Sequence, residues 1–123
     1  MGGLTALVDT SVLIGALDVM GEQEGTWGVS VVTIGELHAG VLLATHGATQ
    51  SARLKRLAAV LADAPVLDVA RSVAVAYADL RMATERVPSN ALWIAATALA
   101  NGLELVTKDQ AQATLPLVRA TLI

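Results

Sequence analysis

The sequence contains no cysteine and no phenylalanine, and only one tyrosine and two tryptophans among its 123 residues. Without cysteine, the chain forms neither a disulfide nor a cysteine-ligated zinc site. This composition agrees with a cytoplasmic protein, because disulfides are rare where thiols are kept reduced. The length predicts one domain, residues 1–123, whose core is large enough to fold without metals or disulfides.

Long apolar segments are also missing, although hydrophobic residues make up 54% of the chain. The longest stretch without a charged residue is 87–103, 17 residues that include a proline, a glycine, a serine and two asparagines. A membrane-spanning helix needs about 20 predominantly apolar residues, so this stretch is expected in a protein core and no membrane partner is predicted. The N-terminus lacks the basic region and apolar segment of a signal peptide.

A surplus of positive charge is absent as well, since the formal net charge is −3. This argues against a broad basic surface that binds duplex nucleic acid without sequence preference. It does not exclude a metal-assisted nuclease, in which acidic residues hold the cation. Nucleotide-binding folds built on glycine-rich phosphate loops are excluded, because neither GxGxxG nor GxxxxGK[ST] occurs.

Short β-branched or apolar runs alternate with longer segments of helical periodicity. Strands are predicted at residues 4–8, 29–32, 64–69 and 103–107, and helices at 12–17, 34–45, 49–62, 70–86 and 90–100. A loop is expected at 18–28, and a last apolar stretch follows Pro116. Helices between strands imply parallel pairing. The predicted fold class is therefore α/β, a three-layer α/β/α sandwich with a central four- to five-stranded parallel sheet.

Three acidic residues lie where predicted strands end. Asp9 ends the first strand, and Asp109 follows the fourth strand. Glu36 lies in the first turn of the helix that follows the second strand. Ligands bind beyond the carboxyl ends of the strands in an open parallel sheet, so these carboxylates are expected at one edge. Carboxylates placed close together repel one another, which makes a divalent cation the natural reason to collect them. An all-oxygen donor set favours Mg²⁺ or Mn²⁺.

Each of two acids also has a simpler structural explanation. Asp9 can cap the helix that follows it, because Asp is a favourable N-cap residue. Thr33 and Glu36 have the spacing of a capping box, in which the two residues bond to each other's backbone N–H groups. An aspartyl-nucleophile phosphatase is a third interpretation of Asp9, but that chemistry needs a second Asp at the position of Ser11.

Three segments, LVDTSVLI, SVVTIGELHAG and NALWIAATALANGLELVTKD, resemble the PIN-domain family in order, spacing and flanking residues. The resemblance runs from about residue 4 to residue 109 and is strongest to the VapC-like toxins of bacterial toxin–antitoxin systems. It implies a PIN-like fold and a Mg²⁺- or Mn²⁺-dependent endoribonuclease that cleaves structured RNA such as tRNA or rRNA. It also implies a VapB-like antitoxin, whose tail covers the site, and a homodimer formed through helical surfaces.

The resemblance assigns roles to individual residues. The carboxylates that hold the metal and serve catalysis correspond to Asp9, Glu36 and Asp109. The residues that orient these carboxylates or water correspond to Thr10, Ser11, Asn90 and Thr107. In such a site the metal lowers the pKa of a bound water, and the resulting nucleophile attacks a phosphodiester.

The sequence departs from the family pattern at two places. Ala91 stands where the pattern has a fourth Asp, three residues before Ile94, and residues 110–113 supply no further acid after Asp109. We therefore expect this chain to bind metal more weakly and to cleave RNA poorly. Ala91 reflects either an engineered inactivation or natural degeneration. The alternative function is a catalytically inactive PIN domain that acts as an antitoxin-binding module.

Overall fold

A computed structural model describes residues 3–15 and 26–123 of the chain. Its strands are β1 (Leu4–Val8), β2 (Thr26–Ser30), β3 (Val66–Leu67), β4 (Glu104–Thr107) and β5 (Ala120–Leu122). They form one sheet in the order β3-β2-β1-β4-β5, and each neighbouring pair is parallel. The predicted parallel sheet is confirmed, and the tail after Pro116 supplies its fifth strand.

Helices connect these strands. They are α1 (Thr10–Gly15), α2 (Val31–Leu43), α3 (Gly47–Asp63), α4 (Arg71–Ala83), α5 (Ser89–Ala100) and α6 (Gln110–Ala113). Over the ranges 3–15 and 26–123, no helix combines the length and the apolar character that crossing a membrane requires.

The sheet is buried on both faces, because successive side chains of a strand point to opposite sides. Leu7 of β1 and Leu105 of β4 pack with residues of α4 and α5 in one core cluster. Ala6, Val8 and Val106 pack with residues of α1, α2 and α3 in the other. This arrangement is the three-layer α/β/α sandwich that the sequence predicted.

The strand order creates a switch point beside β1. The chain leaves β1 toward β2 and β3 on one side of the sheet, and it later places β4 on the other side of β1. In open α/β sheets a crevice forms at such a point, beyond the carboxyl ends of the strands. Asp9 directly follows β1, and its backbone N–H donates to the Val106 carbonyl of β4 at 2.9 Å. Asp109 lies just past the end of β4.

The second strand differs from its prediction. β2 covers Thr26–Ser30, so Val31 and Val32 belong to α2, and the last residues of the predicted loop belong to the strand. The rest of that loop, together with the predicted helix end at 16–17, lies outside the described residues.

The capping box predicted for α2 is wrong. Ser30 is the N-cap residue, and its Oγ accepts a hydrogen bond from the Val32 N–H at 3.0 Å. Thr33 lies inside the helix and is fully buried. Because β2 ends earlier than predicted, the helix also begins earlier. Glu36 then lies beyond the first turn of α2 and does not cap it.

Three further boundaries were predicted imperfectly. β3 is only Val66–Leu67, and α4 ends at Ala83 because the next residue is extended. α5 begins at Ser89, one residue earlier than predicted, and Pro88 occupies the capping position without a side-chain bond. After α5 the backbone adopts the left-handed conformation at Gly102, whose φ is +64°.

Among the glycines in the described part of the chain, Gly28 of β2 has the most crowded backbone surroundings. A Cβ there would lie 3.0 Å from the Pro65 carbonyl oxygen, 3.1 Å from Leu67 Cδ1 and 3.2 Å from Leu4 Cδ1. Gly28→Ala is expected to lower the free energy of unfolding by about 1–3 kcal/mol, because overpacking must displace the backbone beside β3. Urea unfolding followed by circular dichroism measures this change.

Gly35→Ala is the matched control, since a Cβ at this helical position meets no atom within 4 Å. It is expected to stabilise the protein by about 0.5–1 kcal/mol through the lower entropy of the unfolded chain. A Gly28→Ala variant as stable as the parent chain would show that the packing between β2 and β3 is looser than described.

Candidate functional site

An open cleft of about 450 Å³ lies at the carboxyl edge of the sheet. It is lined by Asp9, Glu36 and Asp109 and by residues of α1, of α5 and of the α5 cap, namely Thr10, Ser11, Pro88, Ser89, Asn90, Ala91 and Ile94. The three acids named from the sequence therefore reach one cleft, although they come from distant parts of the chain. Thr107 is fully buried next to it.

Asp9 is almost entirely buried, with 6% of its surface exposed. Its Oδ2 accepts a hydrogen bond from the Ser11 N–H at 3.1 Å and lies 3.4 Å from Thr107 Oγ1. Its Oδ1 accepts from Gln112 Nε2 at 3.2 Å. The capping interpretation is thus correct for Oδ2, and the same carboxylate lines the cleft.

Glu36 is half-buried and oriented by a pair of threonines. Its Oε1 accepts a hydrogen bond from Thr10 Oγ1 at 2.8 Å, and Thr10 Oγ1 lies 3.0 Å from Thr33 Oγ1. A hydroxyl carries one hydrogen, and a bond to a carboxylate is the stronger use of it. Thr33 therefore donates to Thr10, and Thr10 donates to Glu36. The sequence did not reveal Thr33 as a site residue, because its predicted place was the helix cap.

Asp109 is half-buried at the start of α6. Its Oδ1 accepts from the Ala111 N–H at 3.0 Å, which caps this short helix. Its own backbone N–H donates to Thr107 Oγ1 at 3.0 Å. Asn90 is exposed at the first turn of α5, and the half-buried Ala91 beside it brings only a methyl group to the cleft.

Gln112 is a second site residue that the sequence did not reveal. It is completely buried, and its amide contacts Asp9, Thr107 Oγ1 and the Ala91 carbonyl. From the sequence, residues 110–113 counted only as positions without an acid. No local pattern distinguishes Gln112 from Gln110, which is exposed on the same helix.

The donor chemistry of the cleft suits a hard cation. Carboxylate oxygens are what Mg²⁺ prefers, and this ion usually retains several waters while one or two carboxylates bind it directly. Within the described ranges, no three His, Cys, Asp or Glu side chains stand close enough together to ligate one ion. The cleft therefore fits an ion that reaches part of the acidic set through water.

Comparison with known proteins identifies the family. The sequence profile of the PIN domain matches residues 6–116. The chain belongs to the PIN-domain family. Ribonuclease VapC4 of Mycobacterium tuberculosis is 40% identical over 119 residues, which cover 90% of this PIN-domain chain and 91% of the relative. Ribonuclease VapC5 of the same organism is 41% identical over 86 residues, 65% of this chain and 62% of that relative.

Solved structures share the PIN-domain fold. The crystal structure of VapBC-5 from Mycobacterium tuberculosis, a member of the VapBC family of toxin-antitoxin systems, matches with a TM-score of 0.85 and 32% identity over 98% of this chain and 100% of that one. VapBC2 from Rickettsia felis, bound to a fragment of promoter DNA, matches with a TM-score of 0.81 over 98% and 99%. Its 19% identity shows the fold alone. The predicted PIN-like fold and the resemblance to VapC-like toxins are confirmed.

Proposed function

We propose that this PIN domain is a cytoplasmic, Mg²⁺- or Mn²⁺-dependent endoribonuclease toxin of the VapC type that cleaves structured RNA such as tRNA or rRNA. The observation that carries the proposal is that Asp9, Glu36 and Asp109 line one cleft at the switch point of the sheet. The names of the two relatives, Ribonuclease VapC4 and Ribonuclease VapC5, support the nuclease activity.

The residues of the cleft have different roles in the proposed reaction. Asp9, Glu36 and Asp109 would hold the cation, part of them through water. When bound, the cation would lower the pKa of a water for attack on a phosphodiester. The Ser11 N–H fixes one oxygen of Asp9, and the Thr10 hydroxyl fixes Glu36. Asn90 is neutral and exposed on the cleft, so its amide is available to a phosphate oxygen or a water.

Ala91 is the reason for proposing weak activity in this chain. It occupies the first turn of α5, which lines the cleft, and α5 contains no acidic residue. The N-terminal turn of a helix favours negative charge because unpaired N–H groups point outward there. An Asp at position 91 would therefore be tolerated by the fold and would add a carboxylate to the cleft.

The test compares the parent chain with Ala91→Asp, each incubated with total RNA and Mg²⁺ or Mn²⁺. Ala91→Asp is expected to cleave RNA about 10²-fold faster, the usual effect of one charge-stabilising group in an active site. A chelator, or Asp9→Asn in the same background, should abolish the cleavage. Ser72→Asp is the matched control, because it adds the same charge to the exposed first turn of α4, away from the cleft.

The second candidate function is an antitoxin-binding module without nuclease activity. A cavity of about 230 Å³ adjoins the cleft through Glu36 and combines apolar with basic lining, namely Ile14, Leu37, Gly40, Arg53 and Arg56. Such a lining suits an apolar segment that also carries acids, and we propose that a VapB-like antitoxin binds there. Antitoxin binding together with no RNA cleavage by folded Ala91→Asp, over several RNA classes, would establish this module and refute the nuclease.

We further propose that the chain forms a homodimer through its helices. Val75 and Met82 of α4 are 59% and 89% exposed. Residues seven apart lie on the same helix face, so the two side chains form one apolar stripe. Exposed apolar patches commonly mark interfaces between proteins.

Met82→Glu is expected to weaken dimerisation at least about tenfold, because the dimer would have to bury an unpaired charge. Analytical ultracentrifugation over a concentration series measures the change. Leu42→Glu is the matched control, since Leu42 is 75% exposed on α2, on the opposite side of the sheet. A Met82→Glu protein that remains dimeric would place the interface elsewhere, and a monomeric parent chain would refute the dimer.

A further inference from the structure

We infer that Gln112 is the positioning residue of the acidic cleft, because its buried amide ties Asp9 to β4 and to the first turn of α5. The inference rests on the proposed function, since it concerns how the chain prepares a cation site. It adds to that function a residue that is neither acidic nor part of the family resemblance.

Both N–H groups and the oxygen of the Gln112 amide have hydrogen-bond partners. Its Nε2 donates to Asp9 Oδ1 at 3.2 Å and to the Ala91 carbonyl oxygen at 2.9 Å. Its Oε1 accepts from Thr107 Oγ1 at 2.6 Å. A side-chain amide carries two N–H donors, and both are used. The side chain has no exposed surface.

The partners also fix which way the amide points. Nε2 faces a carboxylate and a carbonyl, and both of these groups only accept hydrogen bonds. A flipped amide would bring its oxygen against two acceptors, so the orientation follows from the network itself. The Thr107 hydroxyl must then donate to Gln112 Oε1, and its oxygen accepts from the Asp109 N–H at 3.0 Å.

One chain of hydrogen bonds therefore joins the separate corners of the cleft. It runs from the Asp109 backbone through Thr107 to Gln112, and from there to Asp9 and the backbone of Ala91. Burying an amide is costly unless it is hydrogen-bonded, and an apolar residue of the same length would fill the same space. What the amide adds beyond packing is a donor on the one oxygen of Asp9 that the Ser11 N–H does not hold.

Gln112→Met tests this role, because Met has a similar unbranched length and lacks the amide. In the parent chain, the three-bond Hα–Hβ couplings of Asp9 should show a single χ1 rotamer by NMR. In Gln112→Met they should show averaging, and Mn²⁺ affinity measured by calorimetry should fall about 10-fold, as found when outer partners of metal ligands are removed. Gln110→Met, on the exposed side of the same helix, should change neither quantity.

A purely structural role for Gln112 predicts a lower thermal midpoint with unchanged Asp9 couplings and unchanged Mn²⁺ affinity, and that result would overturn the inference. Averaged Asp9 couplings in Gln112→Met, combined with no Mn²⁺ binding by the parent chain, would support the positioning role and refute the metal-dependent function. If Gln112→Met does not fold, Thr107→Val removes the hydroxyl at the other end of the amide. The same partial averaging of Asp9 is then expected, and a single Asp9 rotamer would overturn the inference.

Discussion

The carboxylate of Asp9 is buried at the end of a central strand, and the structure around it is arranged to supply hydrogen-bond donors. A buried charge is costly unless it is hydrogen-bonded. The Ser11 N–H comes from the start of α1 and the Gln112 amide from α6, while pairing of β1 with β4 brings in Thr107, whose hydroxyl donates to Gln112. The sheet order, the tight turn into α1 and the short helix after β4 together place the hydrogen-bonding groups around the Asp9 carboxylate.

The partners of the site carboxylates are neutral. Asp9 accepts from a backbone N–H and an amide, Glu36 from the Thr10 hydroxyl, and Asp109 from a backbone N–H. Neutral donors orient a carboxylate without cancelling its charge, whereas an Arg or Lys partner would cancel it. The cleft therefore combines fixed oxygens with negative charge, which is the condition for attracting a divalent cation. Ala91 lines the same cleft and contributes no charge to it.

The sequence predicted the parallel sheet and its acidic edge, because the apolar runs before Asp9 and before Asp109 mark strand ends directly. It placed the α2 cap at Thr33 and not at Ser30, since Val31 and Val32 favour a strand by propensity. In the structure the Ser30 side chain caps the helix ahead of these two valines. Gln112 was missed for a related reason. Its role depends on contacts with residues at the ends of β1 and β4 and at the start of α5, and the spacing of residues along the sequence does not predict those contacts.

The central claim is that Asp9, Glu36 and Asp109 form a single cation site that an acid at position 91 completes. Anomalous diffraction from Mn²⁺-soaked crystals of the Ala91→Asp protein tests it most directly. We expect one anomalous peak in the cleft, and no peak there when Asp9→Asn is added to the same protein. A Mn²⁺ peak that persists after Asp9→Asn, or a cleft without any peak in well-ordered Ala91→Asp crystals at saturating Mn²⁺, would contradict the claim.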